Sequence, residues 1–217
     1  MINSIGRVAF WIADRFLLLV FVVFLVFIYK IRIPTPEVDE TVTPASFERK
    51  EVGKDHYRIG KNWLKKNDAG VWEMYLEGEP YERGVIYGVL AQEIVKSQEV
   101  SFVNQIDELI PSRFFQHFLQ VFIAWFNRDM DEYISEENLK EIYGISRSFS
   151  DDYNYIGPKF YRILYYHAAH DIGHALADLR IVGCTSFSVK DEYTQDGELL
   201  IGRNFDFYMG DEFAKDK

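Results

Sequence analysis

The sequence predicts an α+β protein that begins with a membrane helix. Three observations support this prediction: an uninterrupted apolar run near the N-terminus, a middle section with helical periodicity, and a final stretch in which two strand patterns flank a turn. The composition is that of a folded chain, since 48% of the 217 residues are hydrophobic and 17% are aromatic. The net charge of -10 argues against a nucleic-acid partner, because binding to phosphates needs a basic surface.

Residues 1–30 are predicted to be a retained signal anchor. Phe16–Tyr29 is apolar at every position, and the run reaches membrane-spanning length when it is extended towards the N-terminus. No small-x-small cleavage site follows, so an anchor is favoured over a cleaved signal peptide. Arg7 and Arg15 before the run are balanced by Lys30 and Arg32 after it, and these charges do not choose an orientation. We expect the globular part on the outer, periplasmic face of a bacterial cytoplasmic membrane.

Residues 31–53 are predicted to be a linker. Three prolines, Pro34, Pro36 and Pro44, lie there among charged and small residues. This composition is typical of a semi-extended chain that would hold a domain away from the membrane.

A helix-rich region, 54–183, is predicted to follow the linker. It opens with two short strands joined at Lys66–Gly70, where Asn and Asp before Gly provide turn chemistry. A helix then begins at about Tyr81. Its Gly84 and Gly88 lie one turn apart and would let another backbone approach closely.

Further helices occupy the middle of the chain. Ser112–Asn127 is apolar almost all the way round and too short to span a bilayer, so we expect a buried helix rather than a surface that meets lipid. Ser135 is predicted to cap the next helix, with Gly144 past its end. Pro158 is predicted to open the last one.

The last helix carries histidines along one side. His167, His170 and His174 share a stripe nearly opposite an apolar stripe, and His170 and His174, at i and i+4, could share a metal ion. The segment between them lacks the glutamate that an H-E-x-x-H metalloprotease uses as its base. A polar face bonded to neighbours or water is therefore favoured, and no metal or cofactor is expected.

The single cysteine, Cys184, follows a glycine. One thiol cannot form an intrachain disulfide, so it is either a small buried hydrophobe or a reactive group. Strand periodicity on both sides of the turn "DEYTQDG" predicts a hairpin that brings Arg203 and Asp206 back beside Cys184. A guanidinium near a thiol lowers the thiol pKa, so this geometry predicts an activated nucleophile.

Gly-Cys-Thr, then Asp-Gly, a hydrophobic pair and "GRNFD", resembles the choloylglycine hydrolase superfamily of N-terminal nucleophile (Ntn) hydrolases. The upstream stretch "LEGEPYERGVIYGVL" is similar to the opening of its long-precursor branch, the peptidase C45 or acyl-CoA:6-aminopenicillanate acyltransferase type. The two motifs occur in the expected order and together cover Leu76–Phe207.

The resemblance implies an αββα four-layer catalytic fold that starts at Cys184, preceded by the pro-segment. It also implies self-cleavage between Gly183 and Cys184, after which the pro-segment, 54–183, stays paired with the catalytic chain, 184–217. The expected activity is hydrolysis or acyl transfer at a linear, non-peptide amide through an acyl thioester on Cys184. The substrate would be a small amide, with an acylated or lipophilic one suggested by the aromatic composition and the anchor.

The resemblance also assigns roles to residues of the second strand. Arg203 would contact the substrate or the thiolate, and Asp206 would hydrogen-bond the new α-amino group of Cys184. Asn204 matches the motif and would help to bind the substrate. Members of the family continue for a few hundred residues after the nucleophile, whereas 34 residues run from Cys184 to Lys217. We expect a fragment of a longer precursor, inactive alone, rather than a chain completed by a second one.

Two other functions remain open at this point. One is a membrane-tethered metal-binding protein that uses the histidine helix, which a chelator would destabilise. The other is a non-catalytic, membrane-anchored interaction module in which the aromatic helix at Ser112–Asn127 is the docking surface.

Overall fold

The computed structural model describes residues 4–175 and 182–207 and confirms an α+β fold with an N-terminal apolar helix. The helices are α1 (Ser4–Lys30), α2 (Pro80–Leu90), α3 (Gln92–Leu109), α4 (Arg113–Phe126), α5 (Glu136–Ser146) and α6 (Lys159–Ala175). The strands are β1 (Lys50–Gly53), β2 (His56–Ile59), β3 (Asn62–Lys66), β4 (Trp72–Tyr75), β5 (Val182–Asp191) and β6 (Gly197–Phe207). Short 3₁₀ turns lie at Pro44–Ser46 and Met130–Tyr133.

Helix α1 is long and apolar enough to cross a membrane. Its segment Phe10–Lys30 has 21 residues with a hydropathy of 2.5, and no part of that segment is buried against the rest of the chain. A helix that is apolar on all sides and uncovered by protein is typical of a membrane span.

The segment after α1 packs onto the domain, which differs from the predicted linker. Ile33 is 1% exposed and belongs to a cluster with Phe160 and Leu164 of α6. The Tyr161 hydroxyl donates a hydrogen bond to the Ile33 carbonyl oxygen at 2.8 Å. The end of the same segment forms strand β1. Residues 31–53 therefore join α1 to the domain without acting as a free spacer.

The first sheet is an antiparallel meander with the order β1-β2-β3-β4. The turn between β3 and β4 lies where the sequence predicts it, and the Asn67 side chain accepts hydrogen bonds from the N–H groups of Ala69 and Val71, each at 3.0 Å. A second turn, at Gly60, was not predicted from the sequence; the φ of Gly60, 57°, lies in the left-handed region that glycine adopts readily. The stretch interpreted as two strands therefore forms three.

Two apolar clusters hold the domain together. In the first, Ile59 and Leu64 of the sheet pack against Ile86 and Leu90 of α2. In the second, Ile33 packs between residues of α6, with partly buried side chains of α5 around them. Helices α2 and α5 connect the two clusters, since they pack closely along their lengths.

Glycines allow this close packing of α2 and α5. A Cβ added to Gly84 would lie 2.0 Å from the carbonyl oxygen of Glu141, and one added to Gly88 would lie 2.4 Å from the Ser148 hydroxyl. The predicted close approach at these two glycines is confirmed. Gly144 was predicted past the end of α5, which is wrong. It lies inside the helix, where an added Cβ would lie 2.3 Å from the Tyr81 carbonyl oxygen.

The starts of the later helices agree with the sequence. The Ser135 hydroxyl accepts a hydrogen bond from the N–H of Asn138 at 3.3 Å, so the predicted cap of α5 is confirmed. The Pro158 carbonyl accepts the first bond of α6, from the N–H of Arg162, at 3.0 Å. This confirms the predicted opening of that helix.

The expected burial of α4 is wrong. Phe114 is 83% exposed, and six more large apolar side chains along the helix are 45–58% exposed. Gln116 is the buried residue of α4.

Candidate functional site

The candidate site lies on the hairpin formed by β5 and β6. Its turn runs from Asp191 to Gly197, both of which have positive φ, at 56° and 79°. The structure therefore confirms a hairpin with its turn at "DEYTQDG". The path between α6 and β5 lies outside the described residues.

The pairing of the two strands sets the neighbours of the Gly-Cys junction. Gly183 pairs with Asp206, and Cys184 pairs with Phe205. Two residues further towards the turn, Ser186 pairs with Arg203. The hairpin thus brings the backbone of the "GRNFD" motif beside that of the "GCT" motif.

Strand alternation divides these positions between the two faces of the hairpin. Paired residues share a face, and successive residues of one strand alternate. Positions 184, 186, 203 and 205 therefore lie on one face, and positions 183, 185, 204 and 206 lie on the other. Arg203 lies on the face of Cys184 as its diagonal neighbour on the other strand, and such neighbours in an antiparallel pair are about 7–8 Å apart. Asp206 lies on the opposite face, directly across from Gly183.

The described part of the hairpin is open to solvent. Thr185, Arg203 and Asn204 are exposed, and within the described residues β5 and β6 form a two-stranded sheet of their own. On one face the Phe187 ring covers Gly202, where an added Cβ would lie 2.2 Å from the ring. The side chains of Cys184 and Asp206 are outside what the structure describes. The structure gives the position of each residue in the strand pairing.

The histidine helix offers no described metal centre. Among the side chains that the structure describes, no group of three or more His, Cys, Asp or Glu could hold a metal ion. His167 Nδ1 instead bonds to the carbonyl oxygen of Ile163 at 2.9 Å, within its own helix. The side chains of His170 and His174 lie outside the described set.

A buried ion pair between α3 and α6 was not predicted from the sequence. Arg162 Nη2 of α6 lies 3.2 Å from Glu99 Oε1 of α3, and both side chains are almost fully shielded. The guanidinium also donates to the Ser150 carbonyl oxygen at 2.5 Å, while the Ser150 N–H donates to Glu99 Oε2 at 3.1 Å. Glu99 ends the polar stretch Lys96–Glu99, so the sequence holds no signal that separates it from a surface glutamate.

Comparisons of the chain with protein-family models, with curated proteins and with solved structures find no match.

Proposed function

We propose that this chain carries the start of a self-processing cysteine amidase or acyltransferase, with Cys184 as the nucleophile. The observation that carries the proposal is the pairing of Gly183 with Asp206, beside the pairing of Cys184 with Phe205. This register sets a carboxylate-bearing position across from the bond to be cut and a guanidinium-bearing position on the nucleophile's face. Both residues belong to the motif that resembles the choloylglycine hydrolase superfamily.

The first step is the cleavage of the chain itself. The Cys184 sulfur adds to the Gly183 carbonyl carbon, the C–N bond breaks, and the departing nitrogen takes up the thiol proton. The Gly183 carbonyl is now a thioester on the Cys184 sulfur. Water hydrolyses it, which frees the Gly183 carboxylate and restores the thiol. Gly183 suits this step because it has no side chain to obstruct attack on its carbonyl.

The second step is the reaction with an external amide. The new α-amino group of Cys184, with an ordinary pKa of about 8, acts as the general base for its own thiol. The thiolate attacks the substrate carbonyl, the amine leaves, and the acyl group passes from sulfur to water or to another acceptor. In this proposal Asp206 holds the α-amino group, Arg203 favours the thiolate, and Asn204 contacts the substrate.

The proposed location is the outer face of a bacterial cytoplasmic membrane, with α1 as the anchor. A site held at a membrane favours amides with an acyl chain or another lipophilic group as substrates, since these concentrate in the bilayer. The length and apolar character of α1 support the membrane attachment. The side of the membrane and the class of substrate are further parts of this proposal.

Mass spectrometry of the full precursor tests the proposal. We expect a chain that begins Cys-Thr-Ser, and Cys184→Ala should remain whole. In the wild type, hydroxylamine added during processing should leave a hydroxamate on Gly183, because it intercepts the thioester. Cleavage of Cys184→Ala at the same bond would mean that an outside protease cuts there. An intact bond in the wild-type precursor would instead favour a non-catalytic anchored module.

A further inference from the structure

Helix α4 has the reverse of the arrangement expected for a surface helix. Its exposed positions carry large apolar side chains, which recur at the spacing of one helical face. They are Phe114, Phe115, Phe118, Val121, Phe122, Trp125 and Phe126. A continuous aromatic face of this kind on a domain surface marks a contact site, because water does not favour it.

The inner side of α4 is held by polar contacts. Gln116 is 6% exposed, and its amide donates to Asp107 Oδ1 and to the Ile110 carbonyl oxygen, each at 2.8 Å. Arg113 donates to the Gln116 amide oxygen at 2.8 Å. Further along, Gln120 donates to the Tyr155 carbonyl oxygen at 3.1 Å. These bonds fix the rotation of α4 about its own axis, so its aromatic face points away from the domain.

The connections of the chain place α4 near the C-terminal end of α1. Ile33, three residues after the end of α1, lies in the cluster against which Met130 packs. Three residues span at most about 11 Å, and the four residues from Phe126 to Met130 span at most about 14 Å. The end of α1 and the C-terminal end of α4 are therefore both tied by short segments to one packed cluster.

The charges of α4 suit a lipid headgroup layer. The helix holds no Asp or Glu, Arg113 stands at its start in an ion pair with Asp107, and Arg128 follows its end in an ion pair with Asp129. Arg128 lies over the Trp125 ring at 5.2 Å, which places a cation and an indole together at one end. Aromatic residues and arginine are the side chains that favour the boundary between acyl chains and headgroups.

From these observations we propose that α4 is a second membrane contact, lying in the plane of the bilayer surface with its aromatic face in the lipid. The domain would then be held by α1 through the bilayer and by α4 on its surface. A helix of this kind inserts about 5–10 Å into the headgroup and acyl boundary. The anchoring proposed for α1 favours this contact, but the contact is tested separately from it and does not depend on the chemistry of Cys184.

Tryptophan quenching by brominated lipids tests this contact in the full chain in phosphatidylcholine vesicles. Trp11→Phe leaves Trp125 as the reporter of α4, and Trp125→Phe leaves Trp11 as the reporter of α1. The double variant keeps Trp63 and Trp72 of the sheet and gives the background. We expect bromolipid to quench Trp125 above that background. Bromine near the headgroups should quench it more than bromine near the chain ends, because α4 inserts to a shallow depth.

Matched substitutions on the two sides of α4 extend the test. In the Trp11→Phe chain, Phe118→Ser with Phe122→Ser should remove most of the quenching, while His117→Ser should retain it. Circular dichroism of both variants checks that the helix content is unchanged, as expected for exposed side chains. Equal quenching in both variants would overturn the proposal.

The outcomes separate the α4 contact from the anchor. Quenching of Trp11 without quenching of Trp125 would overturn the α4 contact and leave the anchor in place. Trp125 protected from both bromolipid and acrylamide would mean that protein covers α4, either another part of a longer chain or a second copy. Trp125 quenched by acrylamide alone would mean that it stays in water. Both results would overturn the proposal. Quenching of Trp125 without quenching of Trp11 would support the α4 contact and refute the α1 anchor.

Discussion

The backbone of Gly84 in α2 touches that of Glu141 in α5, where a Cβ on the glycine would lie 2.0 Å from the Glu141 carbonyl oxygen. No real Cβ contact is this short, and the obstructing atom belongs to the main chain of α5. We predict that Gly84→Ala forces the two helices apart. Overpacking of this kind costs about 1–3 kcal/mol, which exceeds the gain of about 1 kcal/mol in helix propensity. Urea unfolding monitored by circular dichroism measures the change.

Gly53→Ala is the control for that measurement. Its added Cβ would lie 3.8 Å from the Cβ of His56, an ordinary van der Waals distance. The free energy of unfolding should therefore change much less in Gly53→Ala. If both variants lost the same stability, the contact between α2 and α5 would not be the cause.

We predict that removing the arginine of the buried pair is more damaging than removing both charges. Arg162→Met leaves Glu99 with an uncompensated buried charge, which costs about 3–5 kcal/mol. The double variant Arg162→Met, Glu99→Gln should recover part of that loss, because no buried charge then remains. A thermodynamic cycle from the unfolding free energies of the wild type, Arg162→Met, Glu99→Gln and the double variant checks this. Additive losses would show that the two side chains do not interact.

The Glu99 carboxyl should also make the stability depend on pH. Burial raises the pKa of Glu99 above its ordinary 4.5, although the Ser150 N–H and Arg162 act in the opposite direction. Between 4.5 and the raised value, the folded state binds more protons than the unfolded state. This contribution to stability is therefore fully present below pH 4.5 and is lost as the pH rises through the folded pKa.

Glu99→Gln should flatten that part of the stability profile. Urea unfolding of the wild type and the variant, from below pH 4.5 up to neutral pH, measures the slope. Glu136→Gln is the comparison, because a bond from Lys140 lowers the pKa of that exposed carboxyl and gives a dependence of opposite sign. An unchanged slope in Glu99→Gln would assign the dependence to another group.

We predict that Arg203 activates the thiol of Cys184. Arg203→Ala removes a positive charge from the face that carries position 184, so the thiol pKa should rise and alkylation at neutral pH should slow. Rates of reaction with iodoacetamide, measured against pH, give the thiol pKa directly. Arg203→Lys keeps a positive charge and should remain close to the wild type. Identical profiles for the wild type and Arg203→Ala would show that the guanidinium does not act on the sulfur.

The proposed anchor gives another prediction. If α1 is a retained anchor, carbonate washing should leave the chain upstream of Gly183 in the membrane after processing. With the domain outside the cell, protease added to spheroplasts should digest that domain and spare the extreme N-terminus. A soluble upstream chain that lacks its first thirty residues would show that the apolar run is a cleaved signal.

The elements that the sequence predicts well depend on residues close together in the chain. The Ser135 cap is three residues from the N–H that it binds, and the hairpin follows from a turn and the two patterns beside it. The close approach at Gly84 was also predictable, since two glycines one turn apart have few other uses in a helix. What could not be predicted was the partner, because Glu141 lies 57 positions further along.

The incorrect predictions also concern residues whose structure depends on contacts with distant parts of the chain. Gly144 follows the pattern of a helix terminator, and contact with α2 keeps it inside α5 instead. Ile33 lies in a proline-bearing stretch, and a cluster on α6 buries it. At the candidate site, the turn sets the register and hence the nearness of the two motifs. Arg203 and Asp206 are three residues apart in one strand and lie on opposite faces in any register. Which of the two shares the face of Cys184 depends on the exact pairing, which composition does not determine.

The bond between Tyr161 and Ile33 spans 128 residues and has a consequence for biosynthesis. The anchor leaves the ribosome first, while the α6 side chains that cover Ile33 do not yet exist. At about 5–20 residues per second, the wait is on the order of ten seconds. During that interval the segment after α1 is one end of a loop that is not yet closed. The packing of this segment on the domain is therefore a late event of synthesis, and release of the chain before α6 would leave Ile33 without its cover.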